Sequence, residues 1–331
     1  MLHFFREFPR KRLGGFIASP HPHQDWSQTN RGGCVSVRGR PILQPGTKIF
    51  AMGSCFAREI RSALRTRGYD VYPKYFDVDF DPDRQKVGKL PDRDNQNHYT
   101  TFSIRQEIER VIDRRSWTDD DLLRRRSHKL ISKHGWSQVF QDPYRYDVYG
   151  SDIDAALDVS GKIGTAIRVG LERADVIILT LGLTECWRNR ANGMYVCRGP
   201  ESENDELFSQ LEFRRSGFVE NYENVAATID RILTLGTTKT IVLTVSPVPL
   251  QLTWTGQDIV VANMASKSIL RAVADAVCRD RPQVLYWPSF EYASRRDVFC
   301  ADGRHVREDA VADIVDAFTS AHSAMESAVA A

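Results

Sequence analysis

Five short apolar runs, at residues 48–52, 69–72, 175–181, 240–245 and 284–287, recur along this chain with helical periodicity between them. The near-unbroken Val, Ile and Leu of 175–181 is the pattern of a strand covered on both faces. Strands separated by helices predict a parallel sheet with helices packed on both sides. The helices are expected at 56–67, 104–112, 163–173, 218–235, 258–279 and 308–327, with Gly68 stopping the first. Residues 1–46 are rich in Pro, Gly, Asn and His and read as an arm. Residues 47–331 then read as a single α/β domain. It carries an insertion at about 73–150, irregular from 114 onward, that is suited to building a pocket or lid. Residues 193–197 read as half of a short hairpin.

In such sheets the reactive crevice lies outside the carboxyl ends of the strands. Ser54, Gly182 and Ser246 each fall just after an apolar run and so should line one edge. Ser54 is the most informative of them. It stands at the tip of a strand–turn–helix, in Gly53-Ser54-Cys55-Phe56-Ala57, where backbone N–H groups at a helix start are ready to hold an oxyanion. A serine at that place is also a common helix N-cap. Asp302 and His305, three residues apart before the last helix, offer an acid and a base. His305 would take the serine proton, and Asp302 would hold the imidazole in the right tautomer.

Cys55 is the rival nucleophile, because it shares the helix start. One step along a helix turns a side chain by about 100°, so both residues cannot face His305 equally. Packing is the expected role of Cys55. Gly182 would let substrate approach the backbone and lend its N–H as a second oxyanion donor. Thr184 is a further candidate donor, and Glu185 would orient a partner or take a substrate hydroxyl. Asn97 is the candidate side-chain donor from outside these motifs, with Tyr99 and Trp187 as candidate walls for a sugar or aromatic substrate. The turn Ser246-Pro247-Val248-Pro249 would shape the crevice.

Composition narrows the function classes. Net charge is +2, which makes no case for nucleic acid or an anionic membrane. The runs at 124–126 and 295–296 are arginine-dense and read as solvated faces. Six cysteines at 34, 55, 186, 197, 278 and 300 show no paired short spacing, which points to a reducing, cytoplasmic setting rather than zinc or disulfides. The histidines at 21, 23, 128 and 134 lack acidic or cysteine company, so no metal site is expected. No Gly-rich phosphate loop or dinucleotide fingerprint follows a strand, and no cofactor is expected. No apolar window is long enough for a transmembrane helix.

Gly53-Ser54-Cys55-Phe56-Ala57 is the signature string of the GSCFA family, which the chain resembles over most of its length. The further matches are Asn97-His98-Tyr99, Phe102-Ser103-Ile104, Thr180-Leu181-Gly182-Leu183-Thr184-Glu185 with Trp187, Thr244-Val245-Ser246-Pro247-Val248-Pro249, Tyr286-Trp287-Pro288-Ser289-Phe290-Glu291, and Asp302 with His305. That family in turn resembles the SGNH (GDSL-type) hydrolases, with Gly-x-Ser after the first strand and Asp-x-x-His near the end. The resemblance implies a three-layer α/β/α, flavodoxin-like, doubly wound five-stranded parallel sheet. Leu183-Thr184-Glu185 departs from the Gly-x-Asn of the SGNH pattern, so the usual asparagine donor is missing there. Val306 replaces a common proline.

Together these features imply a serine esterase or O-acyltransferase forming an acyl-Ser54 intermediate. The family resemblance leans toward acyl groups on carbohydrate or another polyhydroxyl substrate. The alternative is a non-catalytic module that keeps the fold and binds a glycan or protein in the crevice. The presence of Ser54, Asp302 and His305 together argues against it.

Overall fold

The computed structural model describes residues 35, 37, 39–87, 94, 96–126, 128–145, 147–200, 202–294 and 297–323. Residues 1–34, the histidines at 21 and 23, Cys34 and the arginines at 295 and 296 lie outside them. The elements below belong to the unit Val37–Ala331.

Five parallel strands form the central sheet: β1 (Lys48–Gly53), β2 (Asp70–Tyr72), β3 (Val176–Leu181), β4 (Thr240–Val245) and β5 (Val284–Trp287). Their order is β5-β4-β3-β1-β2, a doubly wound arrangement with β1 and β3 side by side where the winding reverses. All six residues of β3 are buried, as both-face coverage demands of a central parallel strand. Eight helices follow in chain order among the described residues: α1 (Cys55–Thr66), α2 (Thr101–Ile112), α3 (Lys129–His134), α4 (Ile153–Arg173), α5 (Phe218–Leu233), α6 (Ile259–Asp280), α7 (Ser289–Ser294) and α8 (Glu308–His322).

Phe50 and Met52 of β1 join Ile177, Leu179, Ile241 and Leu243 in one core with the apolar stripes of α2, α4, α5 and α6. Ile49 and Ala51, pointing the other way by strand alternation, are equally buried. There α1 packs through Phe56, Ile60 and Leu64. Beside it runs α8, tied by Arg67 to the Ala312 carbonyl and the Asp316 carboxylate. The fold is therefore α/β with helices on both sides of a five-stranded parallel sheet.

The structure departs from the sequence reading in three places. The insertion expected at about 73–150, irregular from 114 onward, holds instead a four-stranded antiparallel sheet of Gln85–Val87, Val148–Gly150, Val139–Asp142 and Leu123–Arg125. Three- and four-residue strands carrying arginine and glutamine have too few alternations to register as a pattern. Helix α4 begins ten residues before the expected 163, capped by the Asp152 carboxylate on Ala155 N–H. The end of the expected arm is also integrated: Ile42 and Leu43 donate their N–H groups to the His322 carbonyl, and Leu43 is buried. Tyr195–Val196 pairs with Glu185–Asn189, which also carries Leu211–Arg215, in a small three-stranded sheet.

Candidate active site

Strand register sets the site out. Gly53 pairs with Thr180 and Val245 with Leu181, so β1, β3 and β4 end level and the residues after them form a row. Gly53 makes the sharp exit from β1 possible. Its φ is +144°, and a Cβ there would fall 2.2 Å from the Thr180 carbonyl oxygen. Ser54 is next, at the N-cap position of α1.

A capping serine normally turns its hydroxyl onto the N–H of the first helical turn. Ser54 makes no such bond. Its Oγ is buried and has no hydrogen-bond partner among the described residues. The first turn of α1 also holds no acidic residue, so the positive end of the helix dipole at Ser54 is uncompensated. Ser54 N–H itself donates to the Thr180 carbonyl at 3.3 Å, extending the parallel ladder by one residue. Of the N–H groups at this helix start that were expected to hold an oxyanion, that of Ser54 is therefore taken by the sheet. The donors left at the turn are the N–H groups of Cys55 and Phe56, which have no intrahelical partner.

Gly182 packs directly on the serine. A Cβ at Gly182 would lie 3.2 Å from Ser54 Cβ and 2.6 Å from the Tyr99 carbonyl oxygen, so only glycine fits. The Leu181 carbonyl accepts Ser246 N–H at 2.8 Å on the β4 side. Because the peptide is planar and trans, the Gly182 N–H points the opposite way, toward β1 and Ser54. Asn97, His98 and Tyr99 reach the same place by threading between strand ends. His98 N–H donates to the Gly53 carbonyl at 2.7 Å and Leu183 N–H to the Tyr99 carbonyl at 2.8 Å. Asn97 is buried, its Nδ2 donates to the Tyr99 hydroxyl at 3.0 Å, and its carbonyl takes the Cys197 thiol.

Asp302 and His305 sit on a tight loop closed by Cys300 N–H to the His305 carbonyl and by Gly303 at φ +68°. Asp302 Oδ2 is 2.5 Å from His305 Nδ1, while Oδ1 accepts the N–H groups of Arg304 and His305. The His305 ring and those two N–H groups hold the Asp302 carboxyl well below the usual carboxylate range. The pair is half exposed. No hydrogen bond joins His305 to Ser54 Oγ. The loop does approach the start of α1, where the Arg304 charge acts on the Cys55 thiol. Burial outweighs that effect and pushes the Cys55 thiol up, away from the thiolate a nucleophile needs.

Other expected site residues have structural duties. Glu185 takes the Thr253 hydroxyl at 2.8 Å and Trp254 N–H at 3.1 Å, anchoring the turn before α6. Thr184 is buried, with its N–H on Ser266 Oγ and its carbonyl receiving both the N–H and the hydroxyl of Ser216. Trp187, expected as a substrate wall, is packed instead among Trp254, Phe208 and Phe213, with Gly199 against its ring. An aromatic residue after a motif looks the same in sequence whether it faces a crevice or a satellite core. Ser246 shapes the turn, its Oγ accepting Val248 N–H. His128 caps α3 and His134 stacks on Trp136.

Two groups at the site escaped the sequence reading. Arg61, fully buried on α1, forks onto Asp94 and donates to the Ala51 carbonyl, tying β1 to the segment that delivers Asn97. Breaking such a buried pair costs about 3–5 kcal/mol. Lys267, fully buried on α6, donates to the Gly182 carbonyl at 2.8 Å. The readable signal was a lysine three and seven residues from the core positions Leu270 and Ala274.

Burial pushes the Lys267 ammonium down to about 7, with the Cys55 thiol acting weakly the other way. Between pH 7 and the unfolded value of about 10.4 the unfolded chain holds a proton that the folded one lacks. That contribution to stability therefore rises with pH, by at most about 1.4 kcal/mol per unit. Chemical denaturation of wild type and Lys267→Met across pH 6–10 should show the variant's relative stability highest at the acid end, shrinking toward pH 10. A difference independent of pH would contradict the shift.

The sheet order and the serine at its switch point define a doubly wound α/β protein with a strand–serine–helix turn. A family model, GSCFA family, matches residues 48–318, and the chain belongs to that family. Among solved structures, a family 3 carbohydrate esterase from Clostridium thermocellum is similar over 83% of this chain and 94% of that one, with 13% identity and a TM-score of 0.32. No curated protein matches the sequence. No helix among the described residues is long and apolar enough to cross a membrane.

Proposed function

We propose that the protein is a serine ester hydrolase or O-acyltransferase that works through an acyl-Ser54 intermediate. The observation that carries this reading is the Ser54 hydroxyl itself: buried at a helix N-cap, yet withheld from capping and from every other bond among the described residues. Most buried hydroxyls are hydrogen-bonded, and one left open at a strand end and helix start is the kind of group that a substrate completes.

In the reaction, His305 takes the hydroxyl proton as Ser54 Oγ bonds to the ester carbonyl carbon. The negative oxygen of the tetrahedral intermediate lies against the N–H groups of Cys55, Phe56 and Gly182, with Asn97 Nδ2 as the side-chain donor. Collapse breaks the bond to the leaving oxygen, which receives the proton from His305. Water or an acceptor alcohol then repeats the sequence and frees the serine. Asp302 holds the imidazole throughout, its Oδ2 on Nδ1 leaving Nε2 for the proton. His305 and Ser54 close to hydrogen-bond distance when substrate is bound, as acid–base pairs commonly do. Family membership favours an acylated carbohydrate or other polyhydroxyl ester. All described cysteines are free, which supports a reducing, cytoplasmic setting.

The test is treatment with a fluorophosphonate, mapping of the adduct by mass spectrometry, and assay of acetylated sugars and aryl esters. Labelling confined to Ser54 with turnover of at least one ester is expected. An unlabelled protein that binds glycans without hydrolysing their esters would instead be a binding module.

A further inference from the structure

The loop after β3 is held from below by two consecutive residues of α6. Ser266 Oγ accepts Thr184 N–H at 2.9 Å, and Lys267 Nζ donates to the Gly182 carbonyl at 2.8 Å. Both are buried, Lys267 completely, and Lys267 forms no ion pair among the described residues. An apolar side chain of similar length would fill that space without stripping an ammonium of water. The cation meets a backbone carbonyl rather than a carboxylate, and that carbonyl belongs to the glycine packed against Ser54 Cβ. The Leu181 carbonyl is held from the other side by Ser246 N–H, so the peptides flanking Gly182 are pinned at both carbonyls.

We infer that Lys267 is a positioning residue for the oxyanion-binding turn, its ammonium clamping the Gly182 carbonyl so that the Gly182 N–H stays aimed at the Ser54 crevice. This rests on the reading of Ser54 as the nucleophile. The positive charge, held one residue beneath the developing oxyanion, also favours the intermediate over the ester. Burial disfavours the charged form and brings Lys267 down to about 7, so the Gly182 carbonyl contact is held by an ammonium below that pH and by the still-donating amine above it. The Cys55 thiol, from α1, is the titratable group facing it.

The test compares wild type, Lys267→Met and Lys267→Gln on an activated aryl ester. A misplacement of about 1 Å costs about 10²-fold. Lys267→Met should therefore lose about 10- to 100-fold in kcat with KM changed less than about threefold and no fall in thermal midpoint. Lys267→Gln, whose amide can still donate to the Gly182 carbonyl, should recover part of that loss. A Met variant with wild-type kcat, or a Gln variant no better than Met, overturns the inference. Should Lys267→Met fail to fold, wild-type protein decides, using phenylboronic acid, which forms an anionic tetrahedral adduct on a serine. The Lys267 Cε resonance should titrate at higher pH in the adduct than in free protein, and an unmoved titration overturns the inference. Absence of both fluorophosphonate label and boronate adduct on wild-type Ser54 would instead sink the underlying reading of the site.

Discussion

Ser54→Ala is expected to abolish covalent labelling and to lower ester turnover by roughly 10⁴–10⁶-fold, the scale on which serine enzymes lose their nucleophile. Cys55→Ala should keep most of the activity. The two residues are neighbours at the same helix start, so composition does not separate them; their surroundings do. Ser54 Oγ is buried against Gly182 at the level where β1 and β3 end, unbonded and beside an uncompensated helix dipole. The Cys55 thiol is raised by burial despite the Arg304, Arg58 and Lys267 charges that oppose it. Since the helix fold of Ala57 N–H onto the Ser54 carbonyl is a backbone bond, Ser54→Ala leaves it in place, and stability should change by less than about 1 kcal/mol. Steady-state kinetics with intact-mass analysis of the labelled variants settles the matter. Full activity in Ser54→Ala with loss in Cys55→Ala would make this a thiol enzyme.

Asp302→Asn should leave the fold intact and reduce kcat by roughly 10²–10⁴-fold, and His305→Ala should reduce it at least as far. The carboxylate is bound by the imidazole and by two loop N–H groups, and an asparagine oxygen can keep only part of that set. The amide would place an N–H opposite Nδ1 and favour the wrong tautomer. Stability gives the contrast. A depressed carboxyl contributes stability above its unfolded value, near 3.9, that is lost as pH falls through the lower folded value. This pair is exposed and screened, so the contribution is small and the thermal midpoint of Asp302→Asn should stay close to wild type at neutral pH. A fully active Asp302→Asn would reduce the trio to a serine–histidine dyad, whereas a large loss of stability would make the carboxylate structural.

The sequence by itself determined the five core strands, because parallel strands buried on both faces must be apolar along their whole length. It also offered a strand-end serine, and Asp302 with His305, as candidates, since glycine before the serine and the short Asp-to-His spacing are local requirements of turn and loop. Local patterns likewise carried Gly182, at a place where a side chain would strike Ser54 and Tyr99. What they did not carry was decided by contacts between residues far apart in the chain. Trp187 became core because Phe208, Phe213 and Trp254 close around it. Glu185 became an anchor because Thr253 and Trp254 arrive beside it. Ser54 N–H was drawn into the sheet by Thr180, far along the chain, which leaves the N–H groups of Cys55 and Phe56 as the candidate donors at the turn. Arg61 and Lys267 lie on helix stripes where a charge is tolerable only if Asp94 or the Gly182 carbonyl meets it, and packing alone brings those partners. The desolvation of a charge is a property of its surroundings, and only the tertiary structure supplies those.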